Sequence, residues 1–592
     1  TRPGTKLVDY VQHDDKDTKF AKFRYAPDVA NSYLLLFGDH YIRFVQQGAY
    51  VLEDDKAITS MSVANPGVVT SASHGYATGD WVKIGGRTFE VGATTTNTFA
   101  LKTPFGANFN TAGETALLAA TAVARIYTLA TDYAAEDLYT LSAKQHLNEV
   151  TLTHKNYAPA KLSRTDHANW SLSDIIIENT MDSPTNLAVT TSNHEGFSTT
   201  FAITAVDKDG NESLPTYGVG TDLCDFSAPW ERISYSWDAV ADAVSYNVYQ
   251  TRETTDADFT SGAELGFLGR SHSLSFVNNN ILPDFTATPP QGYNPFVDGP
   301  IETVVVTNGG SGYDPDTTTV TITDATPGAG GFVGFPTVRN GVIETVVIIN
   351  HGKGYAAPTV VFGGVGSSAA GTATVGETGG NFPALFAVFQ QRGVYAATEN
   401  DPLSVWGSKI GAFTDFSYSD IVVEDDSYQF TLDAEELSPI RHMIAARGGL
   451  LLMTQGGIWL LTGGNDTSVS PINALADPQT YNGVSRVPPL SIGPDILYVE
   501  GKGSSVKLLS FNDFSKVYGG ISVSILANHL FKNGKEIVAW SHAESPHNIV
   551  WAVRSDGAIL PFTYVKEQSV YAWTQCWTKG LFKDCITVQE DT

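Results

Sequence analysis

Gly449-Leu450-Leu451-Leu452-Met453, then Gln455-Gly456-Gly457, then Ile458-Trp459-Leu460-Leu461 is two short apolar runs joined by a glycine-bearing turn. Runs this short, bounded by turn residues, read as strands, and the pair reads as an antiparallel hairpin. The design recurs on both sides. Tyr33-Leu34-Leu35-Leu36-Phe37, Gly38-Asp39 and Tyr41-Ile42-Arg43-Phe44-Val45 form one such pattern near the start. Ile549-Val550-Trp551-Ala552-Val553-Arg554, Ser555-Asp556-Gly557 and Ala558-Ile559-Leu560-Pro561-Phe562 form another near the end, with Asp-Gly supplying the positive φ of a tight turn. A helical period appears only at Tyr133-Ala134-Ala135-Glu136-Asp137-Leu138 and from Ser522 to Leu530, where His529 would sit late in a short helix. The expected fold class is mainly β.

The chain is 592 residues long, several times the roughly 100–200 of one domain. Lys+Arg number 36 and Asp+Glu 63, for a formal net charge of −27. That balance disfavours a surface that grips nucleic acid or anionic lipid, which requires clustered Lys and Arg. It leaves open a channel that DNA merely slides through, where a repulsive wall is useful. With 42% hydrophobic and 17% charged residues the chain folds and is no disordered acidic tail. Cys224, Cys576 and Cys585 are too few and scattered for a disulfide framework or zinc knuckle, and imply assembly in a reducing compartment. No run approaches the roughly 18 apolar residues of a membrane helix, and the first residues do not pattern as a signal peptide.

One internal repeat stands out. Ile301-Glu302-Thr303-Val304-Val305-Val306-Thr307-Asn308-Gly309-Gly310-Ser311-Gly312-Tyr313 recurs as Ile343-Glu344-Thr345-Val346-Val347-Ile348-Ile349-Asn350-His351-Gly352-Lys353-Gly354-Tyr355. Each copy reads as a strand, a Gly-rich turn anchored by Tyr, and a second strand beyond Pro315 or Pro358. Two such units are expected to bury a shared face that neither buries alone.

Motifs that suggest chemistry have plainer readings. Gly309-Gly310-Ser311-Gly312 and Gly363-Gly364-Val365-Gly366 lack the Lys-Ser/Thr and helix of a phosphate loop. His542, Glu544 and His547 form the tightest His/Glu cluster, but precede a strand without helical metalloprotease spacing. Glu53-Asp54-Asp55 and Glu424-Asp425-Asp426 resemble paired glycosidase carboxylates, although adjacent acids in loops are usually solvated turn ends. Trp237, Trp459 and Trp551 sit in strand patterns and read as core rather than sugar platforms. No Ser or Cys has a nucleophile context. The expectation is no catalytic, cofactor-binding or metal residue.

Several blocks resemble the tail nozzle proteins of short-tailed bacteriophages, also called tail tubular protein B or virion stabilisation proteins. They are Arg2-Pro3-Gly4-Thr5 with Tyr33–Phe44; Leu138-Tyr139, Gln145, His154, Ala158-Pro159-Ala160-Lys161-Leu162-Ser163-Arg164 and Trp170; and Phe389-Gln390-Gln391-Arg392-Gly393-Val394-Tyr395 with Pro402 and Val405-Trp406-Gly407-Ser408. The last block continues through Gly457-Ile458-Trp459, Pro478-Gln479-Thr480-Tyr481-Asn482-Gly483-Val484-Ser485 and Pro546-His547-Asn548-Ile549-Val550-Trp551. They occur in order over about half the chain. The resemblance implies a discontinuous β-propeller-like platform and a ring of six copies around the DNA exit channel. It also implies residues before Arg2 and strands after Thr592.

The platform would comprise residues 1–60, 124–178 and 383–592. Residues 61–123, with Pro66-Gly67-Val68-Val69-Thr70, His74–Val82 and Thr98–Leu101, resemble a small β-barrel of the FCCH type. Residues 179–296 resemble a fibronectin type III-like sandwich, carried by Phe201–Asp207, Ile233–Trp237 and Ser245–Tyr249, with its strand order or completeness left open. Asn294-Pro295-Phe296 leads back to the platform, and 297–382 is the repeat insertion. The implied partners are other copies of the chain, a tail adaptor above the ring, fibres or spikes, the host outer surface, and phage DNA passing without specific binding. The implied place is the virion tail, assembled in the host cytoplasm, and the implied role is structural, not enzymatic, without cofactors. The rival expectation is a secreted or virion-borne glycan-binding adhesin, with a polysaccharide depolymerase third.

Overall fold

The computed structural model describes the chain apart from residues 1–6, 12–17, 25–31, 258, 263, 435–436, 465–467, 502, 504, 546, 569 and 589–592. Arg2-Pro3-Gly4-Thr5 and Pro546 therefore lie outside the described residues. Strands dominate. Helix is confined, among the described residues, to Thr115–Leu118 and the 3-10 turns Ile525–Leu530 and Lys566–Gln568. Among the described residues no helix is long and apolar enough to cross a membrane.

Two compact units divide the chain: Thr1–Asp174 with Asn482–Thr592, and Ile175–Tyr481. The expected platform stretch 383–592 is thus shared between them.

The first unit holds four propeller-like sheets. One is Lys19–Arg24, Ser32–Gly38, Tyr41–Gln46 and Thr128–Ala130, with Ala49–Tyr50 beside the third strand. The next is a plain meander, Ser142–His146, Glu149–His154, Tyr157–Asp166 and Asn169–Asp174. These two share a core in which Trp170 stacks on Phe44 at 4.4 Å and meets Phe23 edge-on at 4.9 Å. The meanders Leu490–Ile492 to Val517–Ser522 and Ile537–Ala543 to Val570–Trp573 share another core through Leu497, Leu508, Val550 and Phe562. Between the third and fourth strands of the first sheet lies a seven-stranded half-barrel spanning Lys56–Ala57 to Ala122–Arg125, closed on Val69, Phe89, Phe99 and Leu101.

The second unit contributes two more meanders, Leu385–Phe389 to Tyr428–Thr431 and Ile440–Ala446 to Leu475–Thr480. Their common core explains the unbroken apolar run Leu450–Met453. Leu450 and Leu452 face that core, yet Leu451 and Met453 on the opposite face are equally inaccessible, all four at 0% exposure. A strand covered on both faces needs an apolar run, not an alternation. Phe296 packs against Tyr395, Trp406 and Phe416 at 5.3–5.4 Å, returning the chain to the first of these meanders as expected.

Residues 188–278 form a complete sandwich. Ala188–Thr191, Ile233–Ser236 and Ser275–Asn278 make one sheet; Thr216–Leu223, Phe197–Asp207, Ala243–Gln250 and Gly266–Ser271 make the other. The long hairpin Phe197–Asp207/Thr216–Leu223 of the larger sheet lies in sequence between two neighbouring strands of the smaller sheet, Ala188–Thr191 and Ile233–Ser236. Trp237 and Tyr235 lie in the core between them.

The repeat departs from expectation. No copy is a unit in its own right, because every hydrogen-bonded strand pair crosses between copies. Ile301–Ser311 pairs with Ser367–Val375, Thr319–Thr323 with Thr359–Gly363, and Gly330–Arg339 with Val342–Lys353. Gly310 and Gly352, equivalent in the two copies, have φ of +66° and +63°. A Cβ there would stand 2.4 Å from the Ser367 carbonyl oxygen or 2.5 Å from the Phe332 nitrogen. Nearby, the Tyr313 and Tyr355 hydroxyls accept from the backbone N–H of Ala369 and Phe332. The Gly-x-Gly-Tyr signature thus marks where one copy's backbone crosses the other's.

Two helical expectations fare differently. Ile525–Leu530 is a 3-10 turn with His529 in its last turn, while Ser522 stays in a strand. Residues 133–138 form turns instead of a helix. Their backbone closes i→i+3 turns, with Asp137 donating to the Ala134 carbonyl at 3.0 Å and Leu138 to that of Ala135 at 3.4 Å, while Ala134 donates to the Tyr157 hydroxyl and Ala135 to the Asp39 carboxylate.

Candidate functional site

The acidic run 424–426 serves a buried cation. Arg392 enters the strand after the Gln390-Gln391 turn and is 1% exposed. Its Nη1 donates to the carbonyls of Ser408 (2.5 Å) and Asp426 (2.6 Å), and its Nη2 to that of Glu424 (2.6 Å). The Asp426 carboxylate, fully buried, accepts from the backbone N–H of Ser419 and Val423, both at 3.1 Å. Burial pulls the Arg392 pKa below its ordinary value, although Tyr428 and the two aspartates oppose this. Loop carbonyls rather than a facing carboxylate hold the guanidinium. Gly407 lies directly opposite Tyr428, whose ring fills the space a Cβ would need, at 2.2 Å.

Arg554 is the second deeply buried guanidinium. Its Nε and Nη2 donate to Asp556, each at 2.7 Å, and Nη1 donates to the Leu530 carbonyl. The hydrogen bonds from Arg554 outweigh a small desolvation cost and hold the Asp556 carboxyl near pKa 2.

Glu53, from the other acidic run, pairs with Arg125 at 2.9 Å, and Asp80 pairs with the same guanidinium at 3.1 Å. Asp54 and Asp55 are exposed. His542 directs Nε2 to the Asn548 side chain at 2.6 Å, and its ligand atoms do not converge with those of Glu544 and His547. The glycines 309–312 and 363–366 lie in the crossed strands and turns of the repeat. Trp237 is core, while Trp459 and Trp551 are half-buried in their sheets.

Two arrangements were not legible in the sequence. His154, buried, meets Thr140 Oγ1 at 2.7 Å with Asp137 nearby, the outline of a triad. The tautomer decides its role. Nδ1 accepts the Asn156 backbone N–H at 3.2 Å, so Nε2 carries the proton and donates to Thr140. Burial lowers the His154 pKa despite Asp137, and the carboxylate is occupied by Tyr157 and Asn156. The neutral ring cannot take the Thr140 proton at Nε2.

Glu195, Asp225 and Glu231 bring their oxygens within 4.8 Å of one another on sandwich loops. Each already accepts a backbone N–H: Asp225 to Glu195 at 2.9 Å, Ser227 to Asp225 at 2.8 Å, and Ala228 to Glu231 at 3.0 Å. One acid from one loop and two, six residues apart, from another leave no spacing signal in sequence.

No protein-family model matches the chain, and no curated protein matches it in sequence. Among solved structures, apo AztD from Citrobacter koseri aligns over 65% of this chain and 84% of its own, at 10% identity and a TM-score of 0.22. So distant a likeness carries neither fold nor function to this chain.

Proposed function

We propose that the chain is a structural protein of a short-tailed phage tail: the nozzle, a multimeric acidic channel for DNA exit and a platform for tail attachments. One observation carries the reading. Several of the nozzle-like blocks coincide with blade strands and the buried groups that fasten them. Phe389–Tyr395 contains the Arg392 turn, and Val405–Ser408 contains the buried Trp406 and the Ser408 carbonyl that Arg392 grips. Tyr33–Phe44 and Trp170 form one shared blade core. These blocks fix blade geometry, as expected of a family whose role is to hold a shape.

The mechanism is geometric and electrostatic. Rotationally closed rings require two different complementary faces on each protomer. A chain of net charge −27 repels the phosphates of a duplex rather than retaining it. The half-barrel, sandwich and repeat would serve neighbours, fibres or the host surface, with the tail adaptor above.

Duplex retention tests the channel. The assembled ring should retain no DNA at physiological salt. A protein contacting Z phosphates shows log K falling with log salt at a slope of about −0.9Z. Micromolar binding with such a slope would overturn the repulsive-channel mechanism.

A further inference from the structure

A cavity of about 260 Å³ opens between the first blade sheet and the half-barrel, within the first unit. Two guanidiniums line it, and they differ in kind. Arg125 is neutralised by Glu53 and Asp80. Arg43 is not. It is 7% exposed, lies over Trp81 at 4.3 Å and beside Tyr41 at 4.6 Å, and has no carboxylate partner among the described residues. Its Nη1 donates to the Val11 carbonyl at 2.8 Å and its Nε reaches Thr128 Oγ1 at a long 3.4 Å. The Tyr50 hydroxyl is a further hydrogen-bond partner, so these three contacts use three of its five N–H groups.

A guanidinium stays protonated wherever it is placed, and an enclosed charge without a counter-charge is costly. Aromatic faces attract a cation but do not neutralise it. Arg43 is therefore a held cation with unused donors, beside space large enough for a small solute. The geometry points to a binding site for a small oxyanion, a carboxylate or phosphate on a ligand no larger than about a monosaccharide. The ligand would accept from Arg43 and supply the missing counter-charge. Trp81 and Tyr41 fix the guanidinium plane, so a bidentate oxyanion meets a pre-oriented fork. The strong net negative charge of the chain does not forbid this, because charges beyond about 8 Å are largely screened at physiological ionic strength.

Thermal melting of the full chain tests the site, with inorganic phosphate, glucuronate, and glucose as neutral control, all at matched ionic strength. Either anion should raise Tm by roughly 2 °C at a concentration about tenfold above its Kd, and glucose should not. A shift from phosphate alone would assign a tetrahedral anion, and one from glucuronate alone a planar carboxylate. Ala130 lines the cavity from an exposed strand position, and Ala130→Phe should abolish the shift while leaving the unliganded Tm near wild type. Arg43→Lys, which keeps charge but loses the fork, should weaken binding at least tenfold. Absence of a shift with both anions, or a shift that survives both variants, would overturn the site.

Discussion

The blades and the repeat are both antiparallel β, yet they obtain their ladders in opposite ways. In the pair Leu385–Phe389 to Leu475–Thr480 every strand bonds to its nearest sheet neighbours in chain order. In residues 301–375 every ladder joins one 42-residue copy to the other. The blades also bury both faces of their inner strands, whereas Ile301–Ser311 exposes much of its length. Local pairing makes a blade a folding unit of about 50 residues. Crossed pairing makes the repeat indivisible, for half of it has no hydrogen-bonding partner.

Removing one copy, residues 343–384, should give the largest effect. Every ladder of the remaining copy is lost, and limited proteolysis should cut freely within 301–342. Removing both, residues 298–380, should be milder, because the ends already lie together: Gly299 donates to Glu377 and Gly376 to Pro300, both at 2.8 Å. That deletion should leave the remaining unit folded, at the cost of exposing Tyr217, which stacks on Phe335 at 4.9 Å. A single copy that stays protected would break the comparison.

Arg392→Met probes the blade side. It leaves the carbonyls of Ser408, Glu424 and Asp426 without their donor, and should cost about 3–5 kcal/mol in denaturant unfolding. A cost under about 1 kcal/mol would mean that blade packing, not the caged guanidinium, fastens this hairpin.

The smallest effect sharpens the crossed geometry. Gly310→Ala and Gly352→Ala should each destabilise by about 1–3 kcal/mol, because both combine positive φ with a backbone atom at the Cβ position. Equal costs would support equivalent crossings. Gly328→Ala, at φ +87° with open space around it, should cost about 1 kcal/mol or less in the same assay.

Legibility followed the same division. Hairpins with apolar runs and Gly or Asp turns were readable because their signal is local, as at Gly449–Leu461. The Gln390-Gln391 turn was not, since both residues adopt positive φ (49° and 61°) that glutamine does not advertise. The Gln390 side chain accepts the Val469 N–H at 2.8 Å, a partner 79 residues away. The repeat was visible, but not its crossing, because copies so similar do not reveal which strand pairs with which. Of the candidate groups, Glu424–Asp426 was visible as charge while its role lay in its backbone carbonyls. Arg43 was visible only as one charged residue in a strand; its place against Trp81 and Tyr41 is a property of the packed cavity.

The central claim is that this chain closes into a ring around a DNA path. Negative-stain imaging of the purified protein tests it most directly. Six-fold rings with an open centre are the expected particles, and a field of isolated elongated monomers at the same concentration would contradict the account.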